Sequence, residues 1–247
     1  MYKNHFYHKV TKTAVAVFGS LFNDITVVRQ DGSGNTLNQI KVPLSYGPKQ
    51  KFLARLDQET KYDAAFAIKL PRMSFEITSI SYDATSKLSK FSSLVKTVDS
   101  SPNEKIEINQ IAPYIINFQL NVLAKNQDDA LQVLEQILPG FLPEYTVTIK
   151  PLAEFDTYRQ DVPITLTGVS FSDDYEGDFM SRRAIIYTLE FEMRVRYFGP
   201  SRNRGVIKEV LVDFKDLDNN LFEEMDISVE PSTANENDDY EVTVTIG

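Results

Sequence analysis

Residues Ala184 to Phe198 constrain this chain more than any other stretch. Ile185, Tyr187, Leu189, Phe191, Met193, Val195 and Tyr197 fall on one side, and Thr188, Glu190, Glu192, Arg194 and Arg196 on the other. Alternation sustained over this length predicts a strand with one buried face. At about 3.3 Å per residue it extends about 45 Å, well beyond the usual strand of about five or six residues. Such a strand projects beyond its sheet or passes through two packed layers. Its polar far end predicts a contact outside the monomer.

Other segments build around it. Val10, Ala14, Val17, Phe18 and Leu21 share one helical face and predict an amphipathic helix ending near Phe22. ITVVRQ, DGSGN and IKVPL read as strand, turn and returning strand, with Pro43 placing the second strand at an edge or breaking it. GPKQKFLARLDQ predicts a helix with Pro48 in its first turn and Phe52, Leu53 and Leu56 as its apolar stripe. From Met73 to Tyr82 the apolar phase slips, which predicts a bulge near Thr78 or Ser79. Residues 84–105, rich in Ser, Lys and Thr, read as a long irregular excursion.

Tyr114, Ile116, Phe118, Leu120 and Val122 define a strand with a strongly buried face. Asp128 or Asp129 is expected to cap the helix ALQVLEQIL, and PGFLP to stop it. YTVTIK follows as a strand. PITLTGVSF changes phase at Gly168, where a bulge is easy because Gly tolerates unusual backbone angles. VIKEVLVDF and YEVTVTIG read as further strands. The order predicts an α+β fold: a mainly antiparallel or mixed twisted sheet flanked by about three helices, with long projecting strands. The expected division is a core domain over 1–205 and an acidic, strand-rich appendage over 206–247, which can also belong to the same domain.

Several function classes fall away on composition. The 247 residues include no Cys and only two His, His5 and His8. A thiol nucleophile, a disulfide framework, a thiolate metal site and an iron–sulfur cluster are excluded, and a Ser-His-Asp triad is disfavoured. The apolar runs fall short of the roughly 20 residues that span a bilayer, and MYKNHFYHKV lacks the apolar core of a secretory leader. The expectation is a soluble protein, folded in a cytosol, with no cofactor and no metal. His5 and His8 read as packing or surface residues.

Asp173, Asp174, Glu176 and Asp178 cluster in SDDYEGD. Paired carboxylates there admit glycoside hydrolysis or calcium, but the calcium-loop pattern is absent and an acidic loop between strands accounts for the segment. Arg182, Arg183, Arg194, Arg196, Arg202 and Arg204 form the main basic group. Their forks suit carboxylates and phosphates equally well; the readings are a solvated sheet face paired with Glu190 and Glu192 or an acidic protein partner. From Glu209 onward the chain holds twelve acidic residues and one basic one, Lys215. That imbalance marks an interaction surface or a solvated edge, and argues against nucleic-acid binding. Tyr240, Val242, Val244 and Ile246 on the last strand are candidates for pairing with another chain.

Read together, LFNDITVVRQ after the first helix, KVPLSYGPKQKFLARL, LPRMSFEI, VLEQILPGFLP and SRRAIIYTLEFEM resemble the tail sheath stabilizer and completion proteins of T4-like contractile-tailed bacteriophages. They stand in that family's order and spacing, over most of residues 1–200. The resemblance implies a structural, non-enzymatic virion protein assembled in the host cytoplasm. It implies a homo-hexameric ring at the head-proximal end of the tail, contacting the tail sheath protein, the tail tube terminator and neck proteins. Neither a membrane nor sequence-specific nucleic acid is implied as a partner. Pro43, Tyr46, Pro48, Phe52, Leu134, Ile137, Pro139 and Phe141 read as core and turn, with Arg182 and Arg183 at an interface. Another ring or adaptor of the same machine, or a carboxylate hydrolase, are the alternatives.

Overall fold

The computed structural model describes all residues except 1–4, 33–35, 60–69, 87–88, 90–92, 99–100, 175–183, 206–208, 216–220, 231–240 and 247. In chain order the elements are α1 (Val10–Leu21), β1 (Thr26–Gln30), β2 (Thr36–Lys41), β3 (Leu44–Tyr46), α2 (Lys49–Glu59), β4 (Arg72–Tyr82), β5 (Leu94–Val98), β6 (Ser101–Ile108) and β7 (Ile111–Ala124). They continue with α3 (Gln127–Ile137), β8 (Glu144–Ile149), β9 (Gln160–Asp174), β10 (Ala184–Phe198), β11 (Arg202–Gly205), β12 (Glu209–Lys215), β13 (Leu221–Glu230) and β14 (Glu241–Ile246). The fold is α+β. Its contacts group into two units, one made of His5–Leu88 and Ala112–Tyr197, the other of Met1–Asn4, Ser89–Ile111 and Phe198–Gly247.

The larger unit is built on a six-stranded mixed sheet in the order β3-β4-β7-β10-β9-β8. The two strands with the clearest alternation, β7 and β10, lie at its centre, where both neighbours satisfy their backbone groups. β3 runs parallel to β4, with Leu44 opposite Met73. The bulge expected in β4 is there: Ile77 faces Phe118 and Ser79 faces Asn117, so Thr78 is the extra residue. The bulge in β9 falls on Thr167, beside Gly168, because Leu166 pairs with Phe191 and Gly168 with Glu190. In β2 the strand stops at Lys41, and after Val42 and Pro43 the chain enters a different sheet as β3.

One face of the sheet carries the core. Phe18 on α1 is fully buried and stacks on Phe118, with centroids 4.3 Å apart and planes 7° apart. Phe22, Phe75 and Phe191 surround it at 5.0, 5.3 and 5.2 Å. Offset and edge-on rings at these spacings add to simple area burial. Gly19 lets the helix approach, since a Cβ there would lie 3.0 Å from the Phe75 ring. Toward its amino end β10 is buried on both faces: Ile186 and Thr188 are covered as well as Ile185 and Leu189. Polar exposure begins only at Glu190, so the two-faced pattern holds for the carboxy-terminal part alone.

Three local expectations are corrected. Helix α3 starts at Gln127 with Asn126 at its N-cap, and Asp128 and Asp129 sit in its first turn rather than capping it. Carboxylates there favour the positive end of the helix dipole without acting as caps. Pro48 stands immediately before α2, and Lys51 N–H donates to its carbonyl at 3.1 Å. Residues 84–105 contain an antiparallel pair, β5 with β6, in which Leu94 faces Ile108 and Lys96 faces Ile106. The β-branched Val95, Thr97 and Val98 suit a strand, while Lys and Ser dilute the hydrophobic signal.

In the smaller unit β11-β6-β5 form one three-stranded sheet and β12-β13-β14 another. Ile108 is fully buried, and Gly199 N–H donates to the Gln110 carbonyl at 2.8 Å. A Cβ on Gly199 would lie 2.8 Å from Gln110 Cβ, which reserves that position for glycine.

Candidate assembly interface

The anticipated interface residues fall on different elements of the chain. Arg182, Arg183 and Tyr240 lie outside the described residues, as do Glu176 and Asp178 of the acidic cluster; of Asp173 and Asp174 the backbone closes β9. Arg194 and Arg196 are exposed on the polar face of β10, on the same side as Glu190 and Glu192. Arg196 Nη1 makes a long 3.5 Å contact to the Tyr158 hydroxyl. Arg202 and Arg204 belong to the smaller unit, on β11. Arg204 Nε stands 3.0 Å from Glu107 Oε2 without hydrogen-bond alignment, so this is a charge contact rather than a directed bond. Its carboxylate is largely buried and its guanidinium largely exposed. His5 is exposed and His8, half-buried, lies 5.6 Å from the Phe6 ring.

On the larger unit the two bulges flank one open cleft of about 260 Å³, lined by Thr78, Asn117, Thr167, Glu190 and Glu192 with Phe118 and Phe191 behind. The extra Thr of each strand donates its hydroxyl to the neighbouring strand, Thr78 to the Asn117 carbonyl at 3.3 Å and Thr167 to that of Glu190 at 3.0 Å. Among the described residues no group of three or more His, Cys, Asp or Glu is placed to hold a metal ion. No described helix is long and apolar enough to cross a membrane.

Two features escape a sequence reading. The first is how β1 avoids an open edge. Gln132 and Gln136, one turn apart on α3, act as a substitute strand. Gln132 accepts from Val28 N–H at 2.9 Å and donates to its carbonyl at 3.0 Å; Gln136 accepts from Thr26 N–H at 3.3 Å and donates to its carbonyl at 2.7 Å. Arg29 then clamps the buried Asp129 through Nη2–Oδ2 at 2.6 Å, and this contact raises the arginine pKa further. An i, i+4 pair of Gln is the only trace of this in the sequence, and it has no partner until the fold brings β1 alongside.

The second is the face of the β12-β13-β14 sheet. The register sets Val210 opposite Ile227, Ile227 opposite Val244, Val229 opposite Val242 and Met225 opposite Ile246. Directly opposed residues share a face. Val242, Val244 and Ile246 are therefore part of an apolar surface across three strands, not merely of an edge.

The chain as a whole carries a family signature. A profile of the T4-like virus Myoviridae tail sheath stabiliser family matches residues 5–246. The chain belongs to the T4-like tail sheath stabiliser family. The tail completion protein gp15 of Enterobacteria phage T4 is 26% identical over 240 residues, which cover 92% of this chain and 87% of that protein. Tail sheath stabilisers are structural proteins of the phage virion, and this chain is a member. The family match runs on past residue 200 through β11 to β14, so the carboxy-terminal strands share it. Of the family-matched positions, Phe52, Leu134 and Ile137 are buried, whereas Tyr46 is 56% exposed and edges onto Phe75.

Proposed function

We propose that this tail sheath stabiliser closes into a homo-hexameric ring at the head-proximal end of a contractile tail. The ring covers the tube terminator and the last sheath ring, keeps the sheath extended and offers a platform to the neck proteins. It acts by binding alone and catalyses nothing. Family membership over residues 5–246 is the observation that carries this reading.

The physics of termination is simple. Polymerisation stops when the last binding edge meets a surface that does not reproduce it, and a closed ring has that property. Holding the sheath extended requires tighter binding to that state than to the contracted one. Six weak contacts in one ring act together by avidity, so no single contact needs to be strong. Arg182, Arg183, Arg194, Arg196, Arg202 and Arg204 are the proposed contacts to acidic partners, and strand addition at β14, with Tyr240 before it, the proposed contact to a sheath chain.

The test uses tails purified from phage lacking this chain. Adding the purified protein is expected to slow loss of the extended sheath, followed by electron microscopy over time. Sheath loss at an unchanged rate, with the protein bound, sinks the reading.

A further inference from the structure

We propose that β14 of one copy pairs antiparallel with β8 of the next copy, so that each boundary of the ring is a strand joint. The proposal rests on the ring reading and names the contact that closes it. Edge protection singles out these two strands. Natural sheet edges are blunted by shortness, by a cover, or by charged residues such as Lys. Among the described residues, β3 is a three-residue edge, β1 is covered by Gln132 and Gln136, and the edge strands β2, β5, β11 and β12 contain Lys41, Lys96, Arg202 and Lys215. The edge strands β8 and β14 have one Glu at their first position and otherwise no charge, no Pro and no bulge.

The two edges are also complements. β8 reads EYTVTI and β14 reads EVTVTI. Set antiparallel with Val147 opposite Val244, they place Tyr145 against Ile246, Thr against Thr on the other face, and exposed Lys150 against exposed Glu241. Apolar, Thr–Thr and opposite-charge pairs each favour such a joint. A slip of one residue sets Thr against apolar residues instead. Val147 already faces Val162 on β9, and Val244 faces Ile227 on β13, so the joint continues one apolar row from sheet to sheet. A second β8 also fits β8, with Glu144 against Lys150. That contact is twofold, joins copies in pairs and leaves β14 bare. β14 on β8 is head to tail, the kind of contact that closes a ring, and it uses both unguarded edges of every copy. Two β14 strands would bring together segments that, from Glu209 onward, each hold twelve acidic residues and one basic. A strand edge takes one partner, so on the assembled ring the next copy and a sheath chain are alternatives for β14.

The test is disulfide trapping in a chain that has no Cys of its own. Full chains carrying Val147→Cys and full chains carrying Val244→Cys are produced together, added to tails purified from phage lacking the protein, oxidised and run on a gel without reductant. Opposed Cα atoms of an antiparallel pair stand about 4.5–5.5 Å apart, within disulfide reach, so the mixture is expected to give at least about ten times more linked dimer than either variant alone. Lys150→Glu in the first chain is expected to lower that yield about twofold to fivefold, as for an exposed ion pair, and Glu241→Lys in the second to restore it. A yield indifferent to both charge changes overturns the register. Linked dimer from Val147→Cys alone shows β8 on β8, and from Val244→Cys alone β14 on β14; either overturns the proposal. No linked dimer from a mixture that forms a ring by electron microscopy overturns this joint and leaves the ring standing. Wild type that forms no ring on the tails overturns both.

Discussion

Gln132 replaces a β-strand for Val28: one side-chain amide makes both hydrogen bonds that a neighbouring strand would make to that residue's backbone. The open edge of a two-stranded hairpin is a template for aggregation, and here it is consumed within the chain. Gln132→Leu leaves the Val28 N–H and carbonyl without partners, at a cost of about 1–3 kcal/mol. Urea unfolding should show that loss, and hydrogen exchange at the Val28 amide should quicken. Unchanged exchange there would mean that water serves the edge as well as the glutamine does.

The aromatic cluster sets a second expectation. Phe18 is wholly buried among Phe22, Phe75, Phe118 and Phe191. Phe18→Ala should cost about 3–5 kcal/mol, because the rings around it come from three strands and the end of α1 and cannot collapse into the void. Phe18→Leu should cost much less. Thermal or urea unfolding of the two variants checks the order.

Asp83 gives a pH signature. Its carboxylate accepts from the hydroxyls of Thr85 at 2.6 Å and Ser86 at 2.7 Å, and from both backbone N–H groups. The Thr85 hydroxyl, then that of Ser86, lower its pKa from 3.8 to about 2, with desolvation opposing them. A lowered folded-state pKa means stabilisation present above the unfolded value and lost as pH falls through the folded one. Between about pH 4 and pH 2 the wild type should therefore lose more stability than Asp83→Asn. Parallel loss in both proteins would show that this turn contributes nothing to acid sensitivity.

The clamp between Arg29 and Asp129 predicts an asymmetry. Arg29→Ala strands a carboxylate of which only 3% of the side chain is exposed, whereas the guanidinium is 41% exposed. Arg29→Ala should be the more destabilising single change, and Arg29→Ala with Asp129→Ala should recover part of the loss. A double-mutant cycle by urea unfolding gives the answer directly.

What the sequence reveals depends on whether one face is buried. β7 and β10 are legible because Phe118, Leu120, Phe191 and Met193 alternate with polar residues and all face the same core. The bulge at Thr78 is legible because the apolar phase must slip for Ile77 and Ile80 to share a side. Strand β5 escapes because Lys96 and Thr97 dilute a five-residue pattern. Strand β13 escapes because Glu223, Glu224, Asp226 and Glu230 mask the alternation of Met225, Ile227 and Val229. The apolar surface itself becomes readable only once the register aligns three strands, each too short to be distinctive alone. The family, by contrast, is legible in extended runs such as VPLSYGPKQKF, whose order no single contact determines.

The most direct measurement is electron microscopy of tails lacking this chain, imaged before and after the purified protein is added. A closed sixfold ring seated at one end of each tail, with the sheath below it extended, is the predicted result. Protein scattered along the tail, or tail ends unchanged at saturating protein, would contradict the proposed role.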